Sequence, residues 1–186
     1  LSFDRSDDYV AITNNLDGNY TEFTIIASVK VNQNLSNAGW AYIFDIGQDA
    51  DGRRFGLAAT SNGFVGYVAP YNEFIVYAEL SHEGEWNDVA LTWSAGNFLK
   101  IFVNGMLITE LNQMSLNNIN VQSNDPAYIA STIINTNDLF DGSINNLSIW
   151  DVALSNSQIE AYHSSAIDIN EEDLKALWTF NEGDGD

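Results

Sequence analysis

Carboxylates, amides and aromatic rings are the residues in this chain with the most chemistry to offer. Asp45-Ile46-Gly47-Gln48-Asp49-Ala50-Asp51-Gly52 sets acidic side chains among glycines that let backbone carbonyls turn toward one point. Hard oxygen donors of that kind suit calcium, and the same string also reads as a solvated acidic turn. It is not an EF-hand, because Arg53, Arg54 and Phe55 follow where that loop needs its bidentate glutamate. Arg53 and Arg54 could grip a carboxylate or sulfate group of a ligand through bidentate hydrogen bonds, or could neutralise the aspartates beside them. Trp40, Tyr42, Tyr67, Tyr71 and Tyr77 offer flat apolar faces on which a sugar ring can stack. Asn72 and Glu73, next to Tyr71 in the turn after Pro70, add the planar polar groups that sugar hydroxyls require. Trp40, Tyr71, Asn72, Arg53 and Arg54 are therefore the candidate ligand contacts.

Signals for catalysis are weak. Retaining hydrolysis of a glycosidic bond needs two carboxylates close together, and no Glu-x-Asp-x-Glu string places them on one strand. His82 and His163 sit in polar contexts typical of surface histidines, and there is no nucleophile elbow, P-loop or dinucleotide fingerprint. No catalytic residue is assigned, and the chain is read as a non-enzyme. Its charge narrows the partners: 26 acidic residues against 6 Lys plus Arg give a net charge of -20. That field repels a phosphate backbone and an anionic membrane surface, so no nucleic-acid partner and no membrane insertion are expected, while divalent cations are attracted. The chain has no cysteine, which excludes disulfide staples and thiolate chemistry.

The elements that must position these residues are strands. Phe23, Ile25, Ala27, Val29 and Val31 alternate with less buried-looking neighbours, the mark of a strand with one face in a core. Similar runs cover 40–46, 53–60, 64–68, 73–80, 86–93, 98–103, 106–110, 127–131 and 143–150. Asn104-Gly105 supplies the positive φ values of a two-residue hairpin turn between two of them. The apolar parity slips between Ile144 and Leu147, which predicts a bulge at Asn145-Asn146. Ser155 with Gln158 forms a capping-box pattern that opens a short helix through Tyr162, and Asn170 with Asp173 predicts another through Ala176. Many strands and little helix give an all-β sandwich or barrel, and with 45% hydrophobic residues there is enough apolar surface for one core over residues 1–186. The piece is read as a single domain cut from a larger protein.

The order of motifs resembles the laminin-G-like family of concanavalin A-like lectin/glucanase domains. It is carried by Leu1-Ser2-Phe3-Asp4 with Asp7-Asp8-Tyr9-Val10, by Gly84-Glu85-Trp86-Asn87-Asp88-Val89-Ala90-Leu91-Thr92-Trp93, and by Ile101-Phe102-Val103-Asn104-Gly105. Phe140-Asp141-Gly142-Ser143-Ile144, Ala153-Leu154-Ser155 and Trp178-Thr179-Phe180-Asn181-Glu182-Gly183 complete it. Arg5 stands where the family often has glycine, and Asp88 where it often has histidine. The resemblance implies a jelly roll of two antiparallel sheets with the terminal segments paired side by side, and places Trp86, Trp93, Trp150 and Trp178 in the core. It also implies calcium, held by Asp49 and Asp51 at the rim or by Asp4, Asp8 and Glu182 where the termini meet. The function it implies is a non-catalytic, lectin-like carbohydrate-binding domain of a secreted or cell-surface bacterial protein, its partner a glycan or polysaccharide. A spacer or protein-interaction module of an adhesin or multidomain enzyme, contacting a neighbouring domain, remains open. A glycoside hydrolase or lyase is the third reading.

Overall fold

A computed structural model describes residues 1–13, 15–32, 39–48, 53–68, 74–79, 84–132 and 138–180. Along the chain run β1 (Ser2–Asp4), β2 (Val10–Ile12), β3 (Gly18–Tyr20), β4 (Glu22–Val31), β5 (Ala41–Gln48), β6 (Arg53–Thr60), β7 (Gly63–Val68) and β8 (Phe74–Glu79). They are followed by β9 (Trp86–Ser94), β10 (Phe98–Val103), β11 (Met106–Asn112), β12 (Ile119–Val121), β13 (Ala127–Ile129), β14 (Asp141–Trp150), α1 (Asn156–Ser164) and β15 (Leu174–Trp178). Two antiparallel sheets form a jelly-roll sandwich of the concanavalin A-like kind. The first has the order β1-β14-β4-β9-β10-β11, with β15 also on β14; the second runs β2-β13-β5-β6-β7-β8.

The alternation in β4 works as expected, since Phe23, Ile25, Ala27, Val29 and Val31 all face the second sheet at 0% exposure. Phe23 stacks on Phe55 of β6 with ring centroids 4.2 Å apart, which ties the two sheets together at the centre of the core. Ile26, on the opposite face of β4, is also buried, under α1 through a cluster with Ala90, Phe102, Trp150, Leu154 and Ile159. Both faces of β4 are thus covered, and its sequence is apolar almost throughout. The helix starts where the sequence signals it, with Ser155 and Gln158 satisfying each other's backbone N–H groups. Asn104 and Gly105 adopt φ of 51° and 77°, and the β14–β4 register shifts between Ile144 and Asn146.

Three expectations are corrected. Residues 170–176 form a turn and then strand β15, not a helix: Asp173 takes φ of 65°, and the free edge of β14 accepts Leu174, Ala176 and Trp178. Among the described residues, the terminal strands β1 and β15 do not pair with each other. β1 lies against Ser143–Asp141 and β15 against Trp150–Leu147, so they share one edge of β14 end to end. Trp86 is not in the core but 49% exposed, because it falls out of phase with the inward Val89, Leu91 and Trp93.

Gly56 is a position where packing admits no side chain, since a Cβ there would meet the Phe44 carbonyl oxygen and the Tyr67 hydroxyl. Gly56→Ala is expected to cost about 1–3 kcal/mol in chemical denaturation. Gly18→Ala, where the nearest atom is 3.6 Å away, should change stability by less than about 0.5 kcal/mol.

Candidate ligand-binding cleft

The outer face of the second sheet carries Tyr42 and Asp45 on β5, Arg54 and Ala58 on β6, Val65 and Tyr67 on β7, and Tyr77 on β8. Asp45 and Arg54 are 0% and 1% exposed, although they point away from the sandwich core. Their pairing is bidentate: Arg54 Nε donates to Asp45 Oδ1 at 2.8 Å and Nη2 donates to Oδ2 at 2.9 Å. Nη2 also donates to Thr132 Oγ1 at 2.8 Å, and that hydroxyl donates to Asp45 Oδ2 at 2.7 Å. Tyr67 completes the ring by donating to Asp45 Oδ1 at 2.6 Å. Thr132 lies three residues past β13 and sets its hydroxyl against both partners of the pair.

Aromatic rings wall the same pair. The guanidinium carbon lies 5.2 Å from the Tyr42 ring centroid and 5.0 Å from that of Tyr67. Burial pushes the Tyr67 hydroxyl well above its ordinary pKa, and the Asp45 carboxylate adds to the rise. Tyr42 is raised too, mainly by burial. Burial alone would lower Arg54, but Tyr67 and Asp45 outweigh it and hold the guanidinium above its ordinary value. Trp40, half-buried, leans on this assembly, with its ring 5.4 Å from Tyr67 and 6.0 Å from Tyr42.

Beside Trp40 opens a cleft of about 350 Å³ at the rim of the sheet. Tyr77, 46% exposed, lies on its β8 side together with Glu79, and Asn62 comes from the turn between β6 and β7. The cleft thus combines two aromatic rings, an amide and a carboxylate, the mixture that holds a polyhydroxylated ring by stacking and hydrogen bonding. Asn62 is absent from the candidates read from sequence; its signal is the Ser61-Asn62-Gly63 turn at the end of a strand whose partner begins directly after Trp40.

Of the candidate contacts, Trp40 therefore lines a cleft. Arg54 does not: its guanidinium is enclosed by Asp45, Thr132 and two tyrosines. Arg53 donates to Asp125 Oδ2 at 3.0 Å, an oxygen that also accepts from the Gln122 N–H. Both arginines neutralise aspartates, and those are Asp45 and Asp125. Tyr71, Asn72, Asp49, Asp51 and Glu182 lie outside the described residues. Asp4 and Asp8 come together with Asp7, their carboxylate oxygens within 4.8 Å of one another, all three residues exposed. The turn that gathers them needs Arg5 at φ of 64°, the conformation a glycine would adopt freely. It is fixed by the Ser6 N–H on Asp4 Oδ1 and the Asp4 N–H on Asp8 Oδ2. Three carboxylates this close are a donor set that fits a hard divalent cation such as calcium.

Against known proteins, a family model described as the concanavalin A-like lectin/glucanases superfamily, of laminin-G type, matches residues 4–160. The chain belongs to this superfamily. No curated protein matches it by sequence. Among solved structures, superfamily folds align over most of its length. A Bacteroides ovatus protein provisionally assigned to carbohydrate binding has TM-score 0.73 at 18% identity, with 94% of this chain and 50% of that one covered. The heptameric SAP-like pentraxin of Limulus polyphemus has TM-score 0.68 at 17% identity, covering 87% and 80%. Domain 4 of the Geobacillus stearothermophilus extracellular arabinanase AbnA, solved with arabinotriose, has TM-score 0.67 at 14% identity, covering 86% and 74%. At these identities the likeness is one of fold.

Removing one partner of the buried pair leaves the other charge uncompensated, so Asp45→Ala is expected to cost about 3–5 kcal/mol in denaturant titration. The tyrosines set an alkaline limit. With folded-state pKa values above the unfolded 10.0, they keep protons that the unfolded chain releases as the pH rises past 10. Stability should be independent of these groups below pH 10 and fall above it, and Tyr67→Phe should flatten part of that fall in melts across the alkaline range.

Proposed function

We propose that this chain is a non-catalytic carbohydrate-binding module of an extracellular protein, and that its glycan site is the cleft between Trp40 and Tyr77. The observation that carries the reading is this cleft's chemistry: a half-buried Trp40 and an exposed Tyr77 flank the Asn62 amide and the Glu79 carboxylate. Trp40 is held from behind by Tyr42 and Tyr67, so it loses little freedom when a sugar stacks on it. The fold neighbours include an arabinanase domain solved with arabinotriose and a protein provisionally assigned to carbohydrate binding, which supports the same reading. With both arginines of the 53–54 pair engaged by aspartates and a net charge of -20, the cleft favours neutral over acidic sugars. Glu79 is the one carboxylate among its described lining residues, whereas glycoside hydrolysis uses two. Among the described residues no helix is long and apolar enough to cross a membrane.

Calcium is part of the proposal. Asp4, Asp7 and Asp8 would hold it at the end of β1, where it would relieve the repulsion among three carboxylates and pin the β1 edge of the first sheet.

Two measurements test these readings. Titration with neutral oligosaccharides, arabinotriose among them, should give binding that Trp40→Ala or Tyr77→Ala weakens about tenfold or more, which is about 1.4 kcal/mol. Absence of any such binding, with retention of a neighbouring domain, would support an interaction module instead. Calcium should raise the melting temperature and a chelator should reverse the rise. Loss of the shift in Asp4→Asn/Asp8→Asn assigns the ion to β1; its survival there assigns it to the Asp49/Asp51 loop; an unchanged melt removes calcium from the account.

A further inference from the structure

The first sheet has an outer face of its own, and α1 covers only part of it. Where the helix packs, the outward residues are the apolar Ile26, Ala90, Phe102 and Trp150. Beyond the helix the same face turns polar. Asn146 of β14, Ser28 of β4 and Asp88 of β9 stand side by side in register across three strands, about 4.8 Å apart from strand to strand. The next outward row is Ser143, Lys30 and Trp86.

Two features make this uncovered part a site. A groove of about 420 Å³ runs along the polar row, walled by the end of α1 and by the residues after it. His163 leans over the groove with Nδ1 2.7 Å from Asp88 Oδ2, fixing the carboxylate, while the bulge at residue 145 adds the Asn145 amide to its lining. Independently, Trp86 lies two residues from Asp88 on the same side of β9, about 6.6 Å along the strand, and is 49% exposed. The core pattern of β9 is supplied by Val89, Leu91 and Trp93, so Trp86 adds nothing to the sandwich core and offers 49% of its surface to solvent.

We infer that the outer face of the first sheet is a second saccharide-binding surface, on the side of the sandwich opposite the Trp40 cleft. Trp86 provides the stacking plane, Asp88 accepts hydrogen bonds from sugar hydroxyls, and Asn145, Asn146 and Ser28 both donate and accept. The ligand class is a neutral oligosaccharide, extended from Trp86, beside the groove, over Asp88 and into the groove toward Asn146. With one site on each outer face, the domain bridges two glycan strands and gains avidity on a polysaccharide matrix.

The test uses the double variant Trp40→Ala/Tyr77→Ala, in which the first cleft is removed, titrated calorimetrically with arabinotriose and cellotetraose and screened on an array of neutral oligosaccharides. It should retain binding that Trp86→Ala, added to it, weakens at least about tenfold, with an unchanged melting temperature because Trp86 is not packed in the core. Asn145→Ala, at an exposed position, should weaken the same event. Binding that is lost with the first cleft alone overturns the second site and leaves the proposed function standing. Binding sensitive to Trp86 alone supports the second site and removes the first. Residual binding indifferent to Trp86, capture of a protein partner by this face without saccharide binding, or no binding to any of these sugars overturns the inference.

Discussion

A charge pair sealed on the outside of a β-sandwich governs how this domain presents its surface. Asp45 and Arg54 point outward from the second sheet, where residues ordinarily meet water, yet neither is more than 1% exposed. Taking both charges out of water is costly, and the bidentate geometry with its added hydrogen bonds offsets that cost. Two parallel N–H···O bonds, a threonine that bonds both partners and a tyrosine hydroxyl on the remaining lone pair leave the carboxylate fully coordinated. The arrangement fixes β5, β6, β7 and the chain after β13 in one relation to each other. Trp40 then packs on Tyr42 and Tyr67, the two rings that wall the pair, so the cleft wall is built on the same network.

The two outer faces solve the same problem differently. Over the first sheet a short helix covers part of the surface with apolar contacts and leaves the rest to Ser28, Asp88 and Asn146. Over the second sheet a polar network capped by aromatics takes the place of the helix. In both, the boundary between covered and uncovered surface is where a groove opens, with an aromatic residue beside it: Trp40 and Tyr77 on one side, Trp86 on the other.

Much of this was legible from residue order, for physical reasons. The inward set of β4, the Asn104-Gly105 turn, the bulge near Asn145 and the Ser155–Gln158 cap are local signals, each set by a period or a backbone angle that few residues satisfy. Non-local competition was harder to read. Asp173 has the composition of a helix start, but an unpaired edge of β14 waits for the next five residues. Trp86 sits in a framework motif, and only its phase against Val89, Leu91 and Trp93 reveals that it faces outward. The Arg54–Asp45 pairing joins residues that are diagonal across a hairpin, so adjacency in sequence pointed Arg54 at the wrong aspartates. Trp40 stands out in the sequence as a candidate because it is a large ring in a short apolar run; Asn62 and Glu79 line the same cleft through strand pairing that no local pattern encodes.

A crystal structure of the domain grown with a neutral oligosaccharide such as arabinotriose tests the central claim most directly. The account predicts a sugar ring stacked against Trp40 or Tyr77, within hydrogen-bond reach of Asn62 and Glu79, above an Arg54–Asp45 pair that is closed with and without the sugar. A cleft that stays empty while sugar binds elsewhere on the second sheet, or an Arg54 that swings out to contact the sugar, would contradict it.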